Sequence, residues 1–408
     1  MSANAKSPAC SHLFSPLTLR AVTLPNRVVI SPMSQYCARD GIADDWHLVN
    51  YGKLAQGGAG MVIVETAAVE PRGRGTYGCL GLWNDAQIAP LARIADFIRA
   101  QGAVPALQIG HAGRKGSVQR PWEGYAQLTQ RERERGETPW ETIAPSATSA
   151  GPDWPTPAAM DSATLESVAL AFVAATQRAA RAGFDVIELH AAHGYLLHEF
   201  LSPIANTRDD AWGGDAARRM AWPLEVIRRV RSAWPQSKPL LLRVSSVDGI
   251  DGGYSLDDTV AFARAASAVG VDLVDCSSGG ISGLATAANR LPRGYGFQVP
   301  YASEVRAKAD VASMAVGLIV DAHQAERILA DGHADLVAIG REALEDPNWA
   351  LHARRTLEGG AFDAWPAQYG WWLARRARVI DALSEAGHPR PGDALPSSGM
   401  PGEQRSVA

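Results

Sequence analysis

Two histidines and a tyrosine fall in one short stretch, His190-Ala191-Ala192-His193-Gly194-Tyr195. Imidazoles at this spacing can share a zinc ion when they lie on a helix. No third ligand of suitable spacing follows, and the H-E-x-x-H pattern is absent. The same pair can instead aim two ring N–H groups at one oxygen and polarise a carbonyl or nitro group, as an oxyanion hole does. Tyr195 then becomes a proton donor. A phenol of pKa about 10 is protonated at neutral pH and can supply a proton to an enolate-like carbon. A third reading leaves His193 and Tyr195 as packing residues of a loop. Arg243 raises a separate question, because it interrupts the apolar run Leu240–Val244. A buried arginine must meet an anion. No carboxylate is near it in sequence, so its partner is either a distant side chain, in a structural ion pair, or a ligand. Gly340-Arg341 can offer backbone N–H groups and a bidentate guanidinium to a phosphate. The Gly-rich stretch Ser277-Ser278-Gly279-Gly280 adds to the case for a phosphorylated ligand.

Something must hold these groups, and the spacing of apolar runs says what. Runs of strand length recur at Val28–Ser31, Met61–Glu65, Val104–Ile109, Asp185–His190, Leu240–Val244, Asp272–Cys276, Ala315–Val320 and Asp335–Ile339. Their near-continuous apolar character suits parallel strands buried on both faces. Helix-length segments lie between most of them. Leu165, Val168, Phe172, Thr176 and Ala179 form one stripe that stops at Gly183, and Ser255–Asp258 opens another segment with a capping-box pattern. Three helix-to-strand junctions repeat a Gly followed by an Asp: Gly183 and Asp185, Gly270 and Asp272, Gly332 and Asp335. A βα unit repeated through eight strands predicts a (β/α)8 TIM barrel. A doubly wound open sheet is the alternative, but no G-x-G-x-x-G follows the first run.

In such a barrel the chemistry sits at the C-terminal ends of the strands. Those positions hold Pro32–Tyr36, Glu65-Thr66, Gln108, His190–Tyr195, Arg243, Ser277–Gly280 and Gly340-Arg341. The stretch from about 116 to 160 is a long insertion after strand three, expected to be structureless and to serve as a rim, a lid or an interface arm. From Ser384 to Ala408 the chain is rich in Pro, Gly and Ser, and a disordered tail is expected there. The 408 residues suit a barrel with insertions or two ordinary domains. With 39 Lys+Arg against 43 Asp+Glu and no basic face, nucleic-acid binding is not expected. No run is long and apolar enough for a membrane span or a signal peptide. Four scattered cysteines without a C-x-x-C argue against zinc ribbons and iron–sulfur clusters and suit a cytoplasmic location.

Taken together, these motifs resemble the Old Yellow Enzyme family of FMN-dependent ene-reductases, and most nearly its bacterial xenobiotic reductase subgroup. The resemblance runs from about Leu13 to Trp372. It rests on Asn26-Arg27 through Ser31-Pro32-Met33, on Gln108–Lys115, on Gly183–Tyr195, on Asn206-x-Arg208-x-Asp210-x-x-Gly213-Gly214 and on Gly340-Arg341. It implies one barrel domain over 13–373, followed by a disordered tail over 384–408. It implies a non-covalent FMN, with Ser31, Pro32, Met33 and Ser34 along its ring, Thr66 beside a carbonyl, and Gln108 on the pyrimidine edge. Arg243 would face the N1/C2 region, and Gly340 and Arg341 would hold the phosphate. His190 and His193 would bind the activating oxygen of the substrate, Tyr195 would donate the proton, and Tyr36 would shape the pocket.

The implied reaction is a ping-pong one, in which NAD(P)H supplies hydride and an activated C=C bond of an enone or nitroalkene receives it. A homodimer or homotetramer acting on small molecules, with no metal, is implied as well. Relatives commonly carry a Cys where this chain has Ser34, which leaves cofactor tuning open. Trp372, of the Trp371-Trp372 pair, would line the pocket, with dimer packing as its alternative. The competing enzyme reading is a metal-dependent barrel hydrolase built on His190 and His193. The competing non-enzyme reading is a flavin-binding barrel without turnover.

Overall fold

In the computed structural model, residues 11–152, 154–283 and 291–388 are described. The chain divides into two compact units after Glu358. The first is a closed barrel of eight parallel strands in sequential order. The strands are Val28–Ile30, Met61–Ala68, Val104–Gly110, Val186–Ala191, Leu240–Ser245, Leu273–Ser277, Ala312–Val316 and Leu336–Ile339. Strand eight pairs with strand one and closes the ring.

The barrel wall separates two apolar regions. Outside it, strand residues such as Val62, Leu107 and Ile187 pack against helices that include Ile88–Ala100 and Ser162–Arg181. The latter helix turns the expected stripe Leu165, Val168, Phe172, Thr176 and Ala179 inward. Inside it, Val29, Met61, Ala106, Val186, Leu241, Leu273 and Leu336 fill the lower barrel, and Leu19 and Leu24 of an N-terminal hairpin join them. The repeated Gly-then-Asp junctions prove to be ties at the lower rim. The carboxylate of Asp272 accepts the Leu240 N–H at 2.8 Å and pairs with Arg20, and that of Asp335 accepts the Ser313 N–H at 3.0 Å and pairs with Arg306. Conserving stability there leaves the upper ends of the strands free for chemistry.

Strand seven is placed differently from expectation. It starts at Ala312 and ends at Val316, where the sequence suggests Ala315–Val320. Gly317 at φ 115° breaks the extended backbone, so the apolar residues after it form a loop. The insertion is not structureless either. A 3-10 turn at Pro121–Glu123, a short helix at Gln130–Glu134 and a two-residue ladder joining Ile143–Ala144 to Ala158–Ala159 organise it. Ion pairs of Arg120 and Arg135 with Glu123 and Glu137 hold it together, and Arg208 donates to the carbonyls of Pro145 and Met160.

The second unit contains the helix Ala367–Glu385. Trp371 and Trp372 meet edge to face in it at 4.4 Å, and Arg375 lies over the Trp371 ring. Ser384 and Glu385 complete this helix, where a disordered tail is expected to begin; residues 389–408 of that tail lie outside the described residues. Among the described residues, no helix is long and apolar enough to cross a membrane.

Candidate active site

Along the inner face of the barrel, polarity changes with height. Strand four places Val186, Glu188 and His190 inward, strand five Leu241, Arg243 and Ser245, and strand six Leu273, Asp275 and Ser277. Parallel pairing sets these residues side by side. Gln108 stands opposite Glu188, His190 opposite Arg243, and Arg243 opposite Asp275. The lower barrel is therefore apolar and the upper barrel charged, as alternation along a strand requires.

The upper barrel opens into a cavity of about 660 Å³, within the ordinary size of a cofactor site. Ser31, Pro32, Met33 and Ser34 line one side, directly after strand one. Tyr36 follows them and lines the cavity as well. Strand two slips register between Val64 and Ala67, which puts Glu65 and Thr66 in a bulge. Thr66 faces the cavity and donates to Gln108 Oε1, while Gln108 Nε2 donates to Glu188 Oε1 at 2.8 Å. Glu65 turns away to accept from Tyr51 and from the Gln35 N–H, each at 2.9 Å, and burial pushes its carboxyl up to about 8.

Arg243 has the distant partner that its burial demands. Its Nε lies 3.1 Å from Asp275 Oδ2, and its Nη1 donates to Ser31 Oγ at 3.1 Å. The anion is thus supplied by the neighbouring strand, which a reading along the chain could not show. Burial raises both the Asp275 and Glu188 carboxyls, and Arg243 opposes the shift in each. The remaining face of the guanidinium borders the cavity.

His190, His193 and Tyr195 line the same cavity. The His190 and Tyr195 rings lie 4.6 Å apart at 30°. His190 Nδ1 accepts the Ala192 N–H at 3.2 Å, which leaves its proton on Nε2. His193 Nε2 lies 2.7 Å from Ser277 Oγ. The His193 backbone is left-handed at φ 57°, and its N–H donates to Ser245 Oγ. Lys115 Nζ donates to its carbonyl. Gly280 approaches so closely that a Cβ there would meet His193 Cα at 2.7 Å. Burial, then Arg243, holds both imidazoles well below the usual histidine range, so both are neutral donors. Burial raises the Tyr195 phenol well above its ordinary value, so it keeps its proton.

At the opposite end stand Gly317, Gly340 and Arg341. Gly340 opens the short helix Arg341–Glu345, and Arg341 is exposed with no ion pair among the described residues. One guanidinium is thus available to an anion at this end, while Gln108, Thr66 and Arg243 form a polar edge at the other. The residues present fit FMN, a polar ring system tethered to a phosphate.

Trp372 belongs to the second unit and is exposed there. His190 and His193 join no third metal-ligating side chain; among the described residues, the one such cluster is Cys37, Asp44 and His47. Glu188, Asp275 and Tyr125 escaped the sequence reading. The first two were legible as polar residues at alternate inward positions. Tyr125 was hidden in the insertion.

Comparison with known proteins agrees with this geometry. Residues 12–359 match the model of the NADH:flavin oxidoreductase / NADH oxidase family. The chain is similar to the NADPH dehydrogenase of Listeria innocua, with 41% identity over 88% of this chain and 98% of that protein. The NADPH dehydrogenase of Bacillus subtilis is 40% identical over 85% of this chain and 95% of its own length. Among solved structures, morphinone reductase superposes with a TM-score of 0.70 at 25% identity, covering 86% of this chain and 91% of its own. The chain therefore belongs to the NADH:flavin oxidoreductase family, that of Old Yellow Enzyme, and is an FMN-dependent NAD(P)H oxidoreductase.

Proposed function

We propose that the protein reduces the activated C=C bond of enones, nitroalkenes or related small electrophiles by a ping-pong mechanism. One observation carries this reading. A neutral His190 with its proton on Nε2 and a protonated Tyr195 stand side by side at one wall of the cavity. Bound FMN carries reducing equivalents from NAD(P)H to the substrate.

The chain's own residues do the rest. Ser31 through Ser34 support the ring system, and Thr66, Gln108 and Arg243 face its polar edge. Gly340 and Arg341 grip the phosphate. His190 and His193 hold the carbonyl or nitro oxygen and draw charge onto it. Tyr195 delivers its proton to the α-carbon. Tyr36 bounds the space in which the alkene lies.

The histidine role is tested with phenol, which stays neutral below about pH 9. His190→Ala should weaken phenol binding by about 1–3 kcal/mol, the loss of one hydrogen bond to an oxygen bearing partial charge. FMN content should be unchanged. In the parent protein the affinity should show no break near pH 6.5, because burial keeps His190 neutral below that value. Spectral titration from pH 5.5 to 8.5 checks both. Unchanged affinity in the variant would remove His190 from the site.

A further inference from the structure

Among the described residues, eight non-glycine positions have a left-handed backbone, and Tyr36, Tyr125, His193 and Leu318 among them line the cavity. Bulky side chains adopt this conformation only where their surroundings impose it. At His193 the surroundings include three buried ionisable groups that the proposed reaction leaves unused, Lys115, His198 and Asp248. The peptide bond joining His193 to Gly194 is held at both of its polar atoms. Lys115 Nζ donates to its carbonyl oxygen at 3.0 Å and also to the Gly280 carbonyl. Its N–H, that of Gly194, donates to His198 Nδ1 at 2.9 Å. An accepting Nδ1 leaves the His198 proton on Nε2, which lies 3.0 Å from Asp248 Oδ1. The other Asp248 oxygen accepts from Ser202 Oγ at 2.6 Å and from the Tyr254 N–H at 2.7 Å, so the carboxylate is fixed in turn. Gly194, at φ 74°, permits the close approach, because a Cβ there would overlap the Gly280 oxygen and meet Lys115 Cε at 2.9 Å.

We propose that Lys115 and the His198–Asp248 pair are positioning residues, which clamp the His193–Gly194 peptide and so aim the His193 ring at the substrate oxygen and the Tyr195 hydroxyl at the α-carbon. This rests on the reading of His193 as an oxygen-binding residue and of Tyr195 as the proton donor. The clamped peptide lies between the two in the chain, so one rotation about it displaces both. Tyr195 stands at the N-cap of the helix Leu196–Leu201, and its N–H is tied to the Ala192 carbonyl at 3.1 Å. His198 is the third residue of that helix and reaches back to the N–H just before Tyr195. Lys115 comes from the turn after strand three. Asp248 comes from the loop after strand five, and Ser245, which accepts the His193 N–H at 2.9 Å, ends that strand. The loop after strand four is therefore referenced to the strands on either side of it. Supports of this kind hold a reacting group to the fraction of an ångström that catalysis requires.

The test uses FMN-loaded protein and compares the parent with three variants. Lys115→Met removes the ammonium at similar length, His198→Leu removes the acceptor, and His198→Asn puts an amide oxygen where Nδ1 stood. Phenol affinity is read by spectral titration. The alkene half-reaction is read after anaerobic reduction by NADPH, with saturating cyclohexenone. Lys115→Met and His198→Leu should each weaken phenol binding about tenfold and slow the half-reaction about 10–100-fold, the scale of a displacement of about 1 Å. His198→Asn should stay within about threefold of the parent in both, because the acceptor is kept. Parent-like phenol affinity and half-reaction rate in loaded Lys115→Met and His198→Leu would overturn the positioning role. Failure of all three variants to fold or to load FMN would overturn it as well, by showing a purely structural role. A parent protein that binds phenol but leaves cyclohexenone unreduced would overturn the proposed function, and phenol affinity across the variants would then decide the positioning role by itself.

Discussion

Tyr195→Phe should slow the alkene half-reaction by about 10²–10⁴-fold, the usual cost of losing a positioned general acid. The half-reaction with NAD(P)H should stay near normal, since it needs no proton from this side chain. The phenol is well suited to the proton-donor role proposed for it. It stacks beside His190 at 4.6 Å, so a substrate oxygen held by the imidazole places the adjacent carbon near the hydroxyl. Burial keeps it protonated across the physiological range. Nitroalkenes should suffer less than enones, because their nitronates are stable anions that can leave before protonation. Rapid mixing of each half-reaction separately checks this. Equal slowing of both halves would mean that Tyr195 shapes the site and does not supply the proton.

Arg243→Ala should destabilise the fold by about 3–5 kcal/mol near neutral pH, the typical penalty for leaving a buried charge without its partner. Asp275 is wholly buried, and neither of its oxygens has a hydrogen-bond partner of good geometry, so the guanidinium at 3.1 Å is what holds its charge. The pH dependence has a definite sign. Without Arg243 the Asp275 pKa in the folded state rises further above its unfolded value. The penalty should therefore grow as pH increases from the ordinary carboxylate range, and shrink toward acid. Asp275→Asn added to Arg243→Ala should recover part of the loss. Urea unfolding of both variants at pH 5 and pH 8 gives the comparison. A pH-independent loss that Asp275→Asn leaves untouched would show Arg243 acting by packing alone.

Most of the barrel was legible because its signal is local. Buried parallel strands read as near-continuous apolar runs, and a Gly and an Asp punctuate three of the helix-to-strand junctions, so Gly183 with Asp185 and Gly332 with Asp335 mark the repeat. Strand seven misled because Leu318, Ile319 and Val320 continue the apolar run beyond Val316, while the backbone at Gly317 has already turned. The histidines, Tyr195 and Gln108 were legible because they sit at strand ends. The partner of Arg243 was not, because Asp275 reaches it across strands five and six. Tyr125 was the hardest to see. Its place depends on a turn within the insertion and on an unfavourable backbone conformation that no local pattern announces. Reading alternate residues upward along each strand would have found Glu188 and Asp275, and only the folded insertion could reveal Tyr125.

The most direct measurement is anaerobic double mixing. The FMN-loaded protein is first reduced with one equivalent of NADPH and then mixed with cyclohexenone, while the visible absorbance of the cofactor is followed. The expected result is prompt return of the oxidised spectrum with one equivalent of cyclohexanone formed, at a rate independent of the NADP⁺ left from the first step. A spectrum that stays reduced until oxygen is admitted, across enones, nitroalkenes and maleimides alike, would contradict the assignment of activated alkenes as substrates.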